Sequence, residues 1–417
     1  MKKILIFSNY KARELDYLIL LQKTLAKTLS AKVSIVGGLG EIQRMYYYLY
    51  KIKPDIVFIP QTLEKGCRDL AKYVLDSGAL LYVVPAEITV IPAIEDLLLN
   101  PDITYNTYFT KIFIPGKRYE KLLAKTDISP KKIKITGSPK IDFLVRNKGG
   151  QFFSRKEFSK KVNTNLKKKN IFFFTSFVTI SEEYLRTDNY FSKAIKQLMK
   201  SNTCVALTKQ KYIEIIQKLC ERLPHYNIIV KPHPLESSLA YKKITASNFI
   251  LLEQYSLYNC IKSVDMAIHW SSTVSSECWI KGIKTIQLAP YKEYDSFLTE
   301  CSPGNPIVRT LDELQDIIEK NLDKKREKKY KEFQSKYLRE NYYRLDGKSV
   351  DRIASYLKQD ISKCKIQTTY QPKFSWLVYP ILFLEKTLGV PVSRRIVALF
   401  LKSYDAKAAI SDYVVLE

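Results

Sequence analysis

The chain has 417 residues, of which 46% are apolar and 26% charged, and a formal net charge of +26. That length supports two substantial cores but hardly three, and the apolar fraction excludes a disordered chain. The charge narrows the partners to nucleic acid, an anionic membrane surface, or phosphorylated and acidic substrates.

No helix-turn-helix, RNP aromatic motif or zinc finger is recognisable, and the lysines are spread along the chain, so nucleic acid is not expected as a partner. The N-terminus, "MKKILIFSNYKARELD", starts basic, but its apolar run is too short for the core of a signal peptide, which predicts a cytoplasmic chain. Seven cysteines are scattered without a C-x-x-C pair. Neither a disulfide framework nor a metal site is expected from them.

In chain order, "KILIFSN", "KVSIVGG", "PDIVFIP", "ALLYVVPA", "KIFIPG" and "KIKITGSP" are short apolar runs ending in turn residues. Without strict alternation, such runs predict parallel strands buried on both faces. Between them lie helical patterns such as "RELDYLILLQKTLAKTL", with Leu15, Leu18, Leu21, Leu25 and Leu29 on one face. The alternation predicts a doubly wound α/β domain over residues 1–145. "GGLG" at 37–40 lacks the spacing of a phosphate loop and predicts a tight turn or a loop facing an acceptor.

Residues 146–169 lose strand periodicity and gather glycine and lysine, which predicts a basic linker. The alternation restarts with "IFFFTS", "NIIVKPHP", "FILLE", "DMAIHWS" and "KTIQLAP", predicting a second Rossmann-like domain over 170–345. From "TLDELQDIIEKNLDKKREKKYKEFQSKYL" the pattern is helical and highly charged, as expected of a solvated closing helix. The tail, 346–417, contains "KFSWLVYPILFLEKTLGVPVSRRIVALFLKSY", whose apolar run is too short to span a bilayer. Two readings of it stay open: it packs back on the domains, or it lies in a membrane interface. In the second, Trp376 and Tyr379 sit at headgroup depth and Arg394, Arg395 and Lys402 on lipid phosphates, peripheral on the inner face of the cytoplasmic membrane.

Ligands of open α/β sheets bind beyond the carboxyl ends of the strands. "NIIVKPHP" places Lys231 and His233 there, and its two prolines stop the strand and hold the histidine in a rigid extended turn. A rigid pair of this kind suits a phosphate, although a surface lysine and a core histidine would read the same in isolation. "DMAIHWSSTVSSECWIKG" reads as strand, loop and helix, with His269 at the strand end. Ser271, Ser272 or Thr273 can cap the helix, and Glu277 lies a turn inside it.

A Lys-Pro-His-Pro strand end followed by His-x-Ser-Ser-Thr-x-x-x-Glu resembles the donor domain of GT-B glycosyltransferases of bacterial surface and capsular polysaccharide synthesis. The nearest resemblance is to enzymes that transfer Kdo from CMP-Kdo and to surface-carbohydrate biosynthesis proteins. "KGCRDLAKYVLDSGALLYVVPAEI" and "KIKITGSPKIDFL" resemble further stretches of that group, the latter with Lys140 where arginine is usual. The likeness covers residues 1 to about 345.

The resemblance implies two Rossmann-like domains facing a central cleft, with a helical C-terminal tail beyond them. It implies a nucleotide-sugar donor held by Lys231, His233, His269, Ser271, Ser272, Thr273 and Glu277, and a glycan or lipid-linked acceptor over the first domain, near Lys11, Arg13 and Asp16. His233 and Glu87 are the expected catalytic residues, Glu87 as the base because it follows a strand end in "VVPAEI", with Asp16 as the alternative base. No Asp-x-Asp element is present, so the expected site is metal-free, with no cofactor beyond the nucleotide sugar. Transfer of a polyol phosphate from a CDP-linked donor, a nucleotide-sugar epimerase and a non-catalytic binding protein remain as alternatives.

Overall fold

The computed structural model describes residues 1–8, 11–37, 42–60, 65–85, 107–146, 152–178, 192–233, 236–320, 323–373 and 376. They fall into two units, one holding the described residues up to Arg146 together with those from Asn341 onward, the other those between.

The first unit is built on strands β1 (Lys3–Ser8), β2 (Lys32–Gly37), β3 (Ile56–Ile59), β4 (Leu80–Val83), β5 (Lys111–Ile114) and β6 (Ile133–Ile135). All are parallel, in the order β2-β1-β3-β4-β5-β6. They coincide with the six apolar runs of the sequence. Burial explains the missing alternation: Ile4, Leu5, Ile6 and Phe7 of β1 are all 0–1% exposed, so both faces of the strand need apolar side chains. Helices α1 (Lys11–Leu29), α2 (Ile42–Ile52), α3 (Lys65–Asp76) and α4 (Lys117–Leu123) lie in the crossovers, and α5 (Pro139–Arg146) follows the last strand. Residues 38–40 of the "GGLG" stretch lie outside the described residues.

The second unit runs α6 (Arg155–Val162), β7 (Lys169–Phe174), α7 (Ser192–Arg222), β8 (Tyr226–Lys231), β9 (Phe249–Leu251), α8 (Leu257–Cys260) and β10 (Met266–His269). It continues with α9 (Val274–Ile280), β11 (Lys284–Leu288), β12 (Ile307–Val308), α10 (Leu311–Glu319) and α11 (Lys324–Asn341). The sheet order is β12-β11-β10-β7-β8-β9, again parallel. Strand β12 was not visible in the sequence, because two residues carry no periodicity.

One face of this sheet, with Ile171, Phe173, Ile228 and Val230, is covered by Tyr212, Ile216 and Leu219 of α7. The other, with Phe172, Phe174 and Ile229, meets Phe158 of α6 and Val274 and Cys278 of α9. Helix α6 lies within the stretch expected as a linker. A Ser154/Glu157 capping box starts it, and its Phe158 is fully buried against Phe172. The charged stretch expected as one closing helix is divided into α10 and α11, and α11 docks through Phe333, Tyr337 and Leu338 onto Trp279 and Cys301.

After α11 the chain returns to the first unit as α12 (Ser349–Lys363). The "GSPKID" stretch receives it. Gly137 has φ +85°, and a Cβ there would stand 2.3 Å from Ser349 Oγ. Asp142, 0% exposed, accepts the backbone N–H of Val350 at 2.8 Å, which satisfies one of the orphan amides of the helix start. Arg352 donates to the Thr136 carbonyl at 2.8 Å and grips Asp346 through two nitrogens at 2.9 and 3.0 Å. Further along α12, Asp360 is paired with Lys111 and accepts from Tyr82 Oη at 2.8 Å.

Beyond α12, Thr369 N donates to Ser77 O at 2.8 Å and Tyr370 Oη to Pro54 O at 3.1 Å. The described part of the tail is therefore strapped to the first unit up to Lys373, which lies over the rings of Tyr46 and Tyr73. Trp376 is 65% exposed, while Tyr379, Arg394, Arg395 and Lys402 lie outside the described residues. Among the described residues no helix is long and apolar enough to cross a membrane.

Two outcomes follow. Gly137→Ala should lower stability by at least about 1–2 kcal/mol, the cost of forcing a side chain into a left-handed backbone, read as a lower denaturant midpoint. The Arg352 guanidinium holds the Asp346 carboxyl down at about 2, against an ordinary 3.8. A depressed acid contributes stability that is complete above its unfolded value and is lost as pH falls through its folded one. Stability should therefore decline between pH 4 and 2, and less steeply in Asp346→Asn, measured by urea unfolding across that window.

Candidate functional site

The order β12-β11-β10-β7-β8-β9 reverses direction at β7. Helix α7, which follows β7, covers one face, and α9, which follows β10, covers the other. The loops after β7 and β10 therefore diverge, leaving the crevice in which sheets of this order bind ligands. The register aligns His269 with Phe174 and Phe174 with Lys231 across three neighbouring strands. At the usual strand spacing, Lys231 and His269 stand about 10 Å apart. The two stretches singled out in the sequence thus end side by side, separated by a third, "TSF" at 175–177, that sequence reasoning passed over.

Lys231 is half-buried at the end of β8. Burial lowers its pKa, opposed by the neighbouring Cys260 thiol, and among the described residues it has no carboxylate partner. His233, two residues on, is half-buried, and its carbonyl accepts the Glu236 N–H at 2.8 Å. Ser271, Ser272 and Thr273 are half-buried behind β10. Ser271 Oγ donates to Phe297 O at 2.8 Å, and the Ser271 carbonyl accepts Ser176 Oγ at 3.0 Å. The helix cap differs from the expectation of a serine or threonine side-chain bond of the usual kind. Thr273 occupies the N-cap with helical backbone angles and no side-chain cap bond, and Ser272 Oγ accepts only the Val274 N–H, at 3.3 Å.

His269, expected to touch the donor, is 0% exposed and ends a strand buried on both faces. Its Nε2 lies 2.7 Å from Ser275 Oγ, which in turn donates to Ser272 O at 3.2 Å. His269 therefore acts on the loop from below, through Ser275. The pair is no nucleophile–base dyad, because Ser275 is also 0% exposed. Glu277, expected near a ribose, is 4% exposed within α9 and offers a ligand little surface. Lys11, Arg13 and Asp16 fall at the start of α1, behind β1, the strand beside which the first sheet reverses direction. Asp16 is half-buried. Glu87 lies outside the described residues.

The residue most tightly bound into this edge is Glu236, which carried no signal in the sequence beyond following the His-Pro turn. Its carboxylate accepts Thr175 Oγ1 at 2.8 Å, Phe177 N at 3.0 Å and Tyr241 Oη at 2.7 Å, and pairs with Lys209 at 3.1 Å. Only side-chain chemistry after folding reveals it, since its donors come from three separate segments.

Burial depresses the His269 pKa to about 4, with the Asn305 side chain and the Trp270 backbone opposing it. The unfolded chain takes up this proton near pH 6.5, the folded chain only near 4. Stability should therefore fall as pH drops through that interval, by about 3 kcal/mol when the step is complete. His269→Asn should lack this component in unfolding measured from pH 7 to 4.

No protein-family model matches the sequence, and no curated protein matches it. Solved structures do. MnaA of S. aureus, in a co-structure with UDP, aligns with a TM-score of 0.57 at 13% identity, over 89% of this chain and 100% of that one. UDP-GlcNAc 2-epimerase from Neisseria meningitidis, bound to UDP-GlcNAc, aligns with a TM-score of 0.55 at 12% identity, over 86% of this chain and 100% of that one. The wall teichoic acid polymerase TagF aligns with a TM-score of 0.55 at 15% identity, over 87% of this chain and 89% of that one. At such identities the likeness is one of fold, and it establishes the architecture: two Rossmann-like α/β domains of the GT-B type.

Proposed function

We propose that the chain is a metal-independent glycosyltransferase of surface-polysaccharide synthesis, whose second domain holds a nucleotide-activated sugar at the ends of β7, β8 and β10. CMP-Kdo or a similar CMP-linked acid sugar is the favoured donor, on the resemblance of the Lys-Pro-His-Pro and His-x-Ser-Ser-Thr elements. One observation carries the reading. A half-buried lysine with no carboxylate partner among the described residues stands two strand positions from a loop of half-buried hydroxyls, at the point where the strand order reverses. Burial alone disfavours the lysine's charge. A phosphate beside it would favour the charged form and offset that cost, so the site suits an anion.

In transfer, negative charge grows on the leaving nucleotide phosphate. Lys231, His233 and the hydroxyls of Ser271, Ser272 and Thr273 are the groups assigned to stabilise it. A carboxylate must take the proton of the acceptor hydroxyl, and Glu87 remains the assigned base. The acceptor is taken to be a glycan or a lipid-linked sugar entering over the first domain, near Lys11, Arg13 and Asp16. The cationic surface is compatible with an anionic acceptor or membrane face.

Two further readings have specific support. TagF is a teichoic acid polymerase, which favours transfer of a polyol phosphate from a CDP-linked donor; its product would gain phosphorus. The two other neighbours bind UDP or UDP-GlcNAc, and one is named as an epimerase. An epimerase would consume nucleotide sugar without an acceptor. The Gly-x-Pro-x-x-Asp stretch, common ground of the transferase readings, docks α12 in this chain and separates none of them.

A thermal-shift panel with CMP, CDP, UDP, GDP and their sugar conjugates should raise the melting temperature with one nucleotide family, by mass action. His233→Ala should remove that shift while remaining folded. No shift with any nucleotide would count against the donor site. Glu87→Gln should keep nucleotide affinity and lose about 10²–10⁴-fold in kcat; near-normal turnover would remove Glu87 from the mechanism.

A further inference from the structure

The carboxylate of Glu236 has no exposed side-chain surface. Thr175 Oγ1 and Phe177 N reach one oxygen, and Tyr241 Oη and Lys209 Nζ the other. An ionised carboxyl has about four lone-pair sites, and all are engaged. Its own N–H donates to the His233 carbonyl. One residue therefore ties together the loop behind β7, His233 and Tyr241 beyond β8, and helix α7.

The connection continues toward the hydroxyl loop. Ser176 Oγ donates to Ser271 O at 3.0 Å, and the Phe177 ring stacks on Trp270 at 5.6 Å and 22°. Both residues next to these contacts, Thr175 and Phe177, are held by Glu236. A shift of the carboxylate therefore moves the loop that in turn supports Ser271.

A buried carboxylate is an odd companion for an anion-binding edge, since like charges repel across a medium of low dielectric. Lys209 resolves this. Its ammonium pairs with Glu236 and lies over the Tyr241 ring, 5.1 Å from the centroid. The pair is neutral, so the brace gives geometry without a net field against a phosphate.

We infer that Glu236 is a positioning residue of the donor site, fixing His233 and the Ser176–Ser271 contact for the anion, with Lys209 as the counter-charge that keeps the brace neutral. The inference rests on the donor-site reading above. A glutamine cannot replace it: with its Nε2 on one side it faces the Thr175 and Phe177 donors, and on the other it faces the Lys209 ammonium.

The test uses the full chain. Hydrogen exchange should be at least tenfold faster in peptides covering 175–178 and 270–276 in Glu236→Gln, with the strands of the first unit unchanged. If that variant fails to fold, Thr175→Val removes a single donor and should speed exchange in the same two segments. Pyrophosphate and the nucleotide found in the panel should bind at least tenfold more weakly to Lys209→Met, which leaves the carboxylate uncompensated. Unchanged exchange at 270–276 in folded Glu236→Gln overturns the brace, whatever the wild type binds. Equal affinity of Lys209→Met and wild type overturns the counter-charge. If the wild type binds neither ligand, the donor-site reading fails, and the positioning role fails with it, even where exchange upholds the brace.

Discussion

The second unit depends on β7 lying at the centre of a parallel sheet, between β8 and β10. A parallel strand must be followed by a crossover, and the crossovers from β7 and β10 leave by opposite faces. Two consequences come from that one constraint. Every residue of β7 from Ile171 to Phe174 must be apolar to fill both faces, with exposures no higher than 6%. The chain ends of β7, β8 and β10 must also open together, because no helix can cover the point where the loops part. The candidate site is thus a product of topology before it is a product of side chains.

Within the site, polarity is distributed unevenly. Two of the buried groups are fixed by several partners: Glu236 by four donors, and Ser275 by His269 and the Ser272 carbonyl. The half-buried ones, Lys231 and Thr273, lack the corresponding side-chain partners among the described residues. A site with fixed supports and unspent surface groups is pre-organised for a ligand, since it orders little on binding. His269 belongs to the supports. Its neutrality, enforced by burial, keeps a charge out of the interior while leaving Nε2 to hold Ser275.

The first unit is completed only by the returning chain. Asp142, Thr136 and Gly137 receive α12, while Lys111 and Tyr82 meet Asp360. Asp142 accepts a helix amide from a residue more than two hundred positions away. Burial raises the Asp142 carboxyl, and the Val350 N–H, Ser349, Arg146 and Arg352 offset part of that cost. The same stretch read from sequence looked like a shared motif of the enzyme group. Its observed work is to seat a helix.

Strand positions were legible in the sequence, because two-sided burial leaves uninterrupted apolar runs that no surface element would carry. So were Lys231 and His233 as strand-end groups, since proline marks where a strand must stop. The depth of His269 was not legible, because a histidine ending an apolar run reads the same whether it faces a crevice or a core. Glu236 and the 175–177 loop were hidden for a related reason: their partners lie on other strands and on α7, and pairing across a parallel sheet leaves no trace at a fixed spacing. The sequence by itself determined which segments are strands and where each ends. Only the tertiary structure decided which ends are neighbours, because strand order follows from how crossovers pack on the two faces of the sheet, a non-local choice.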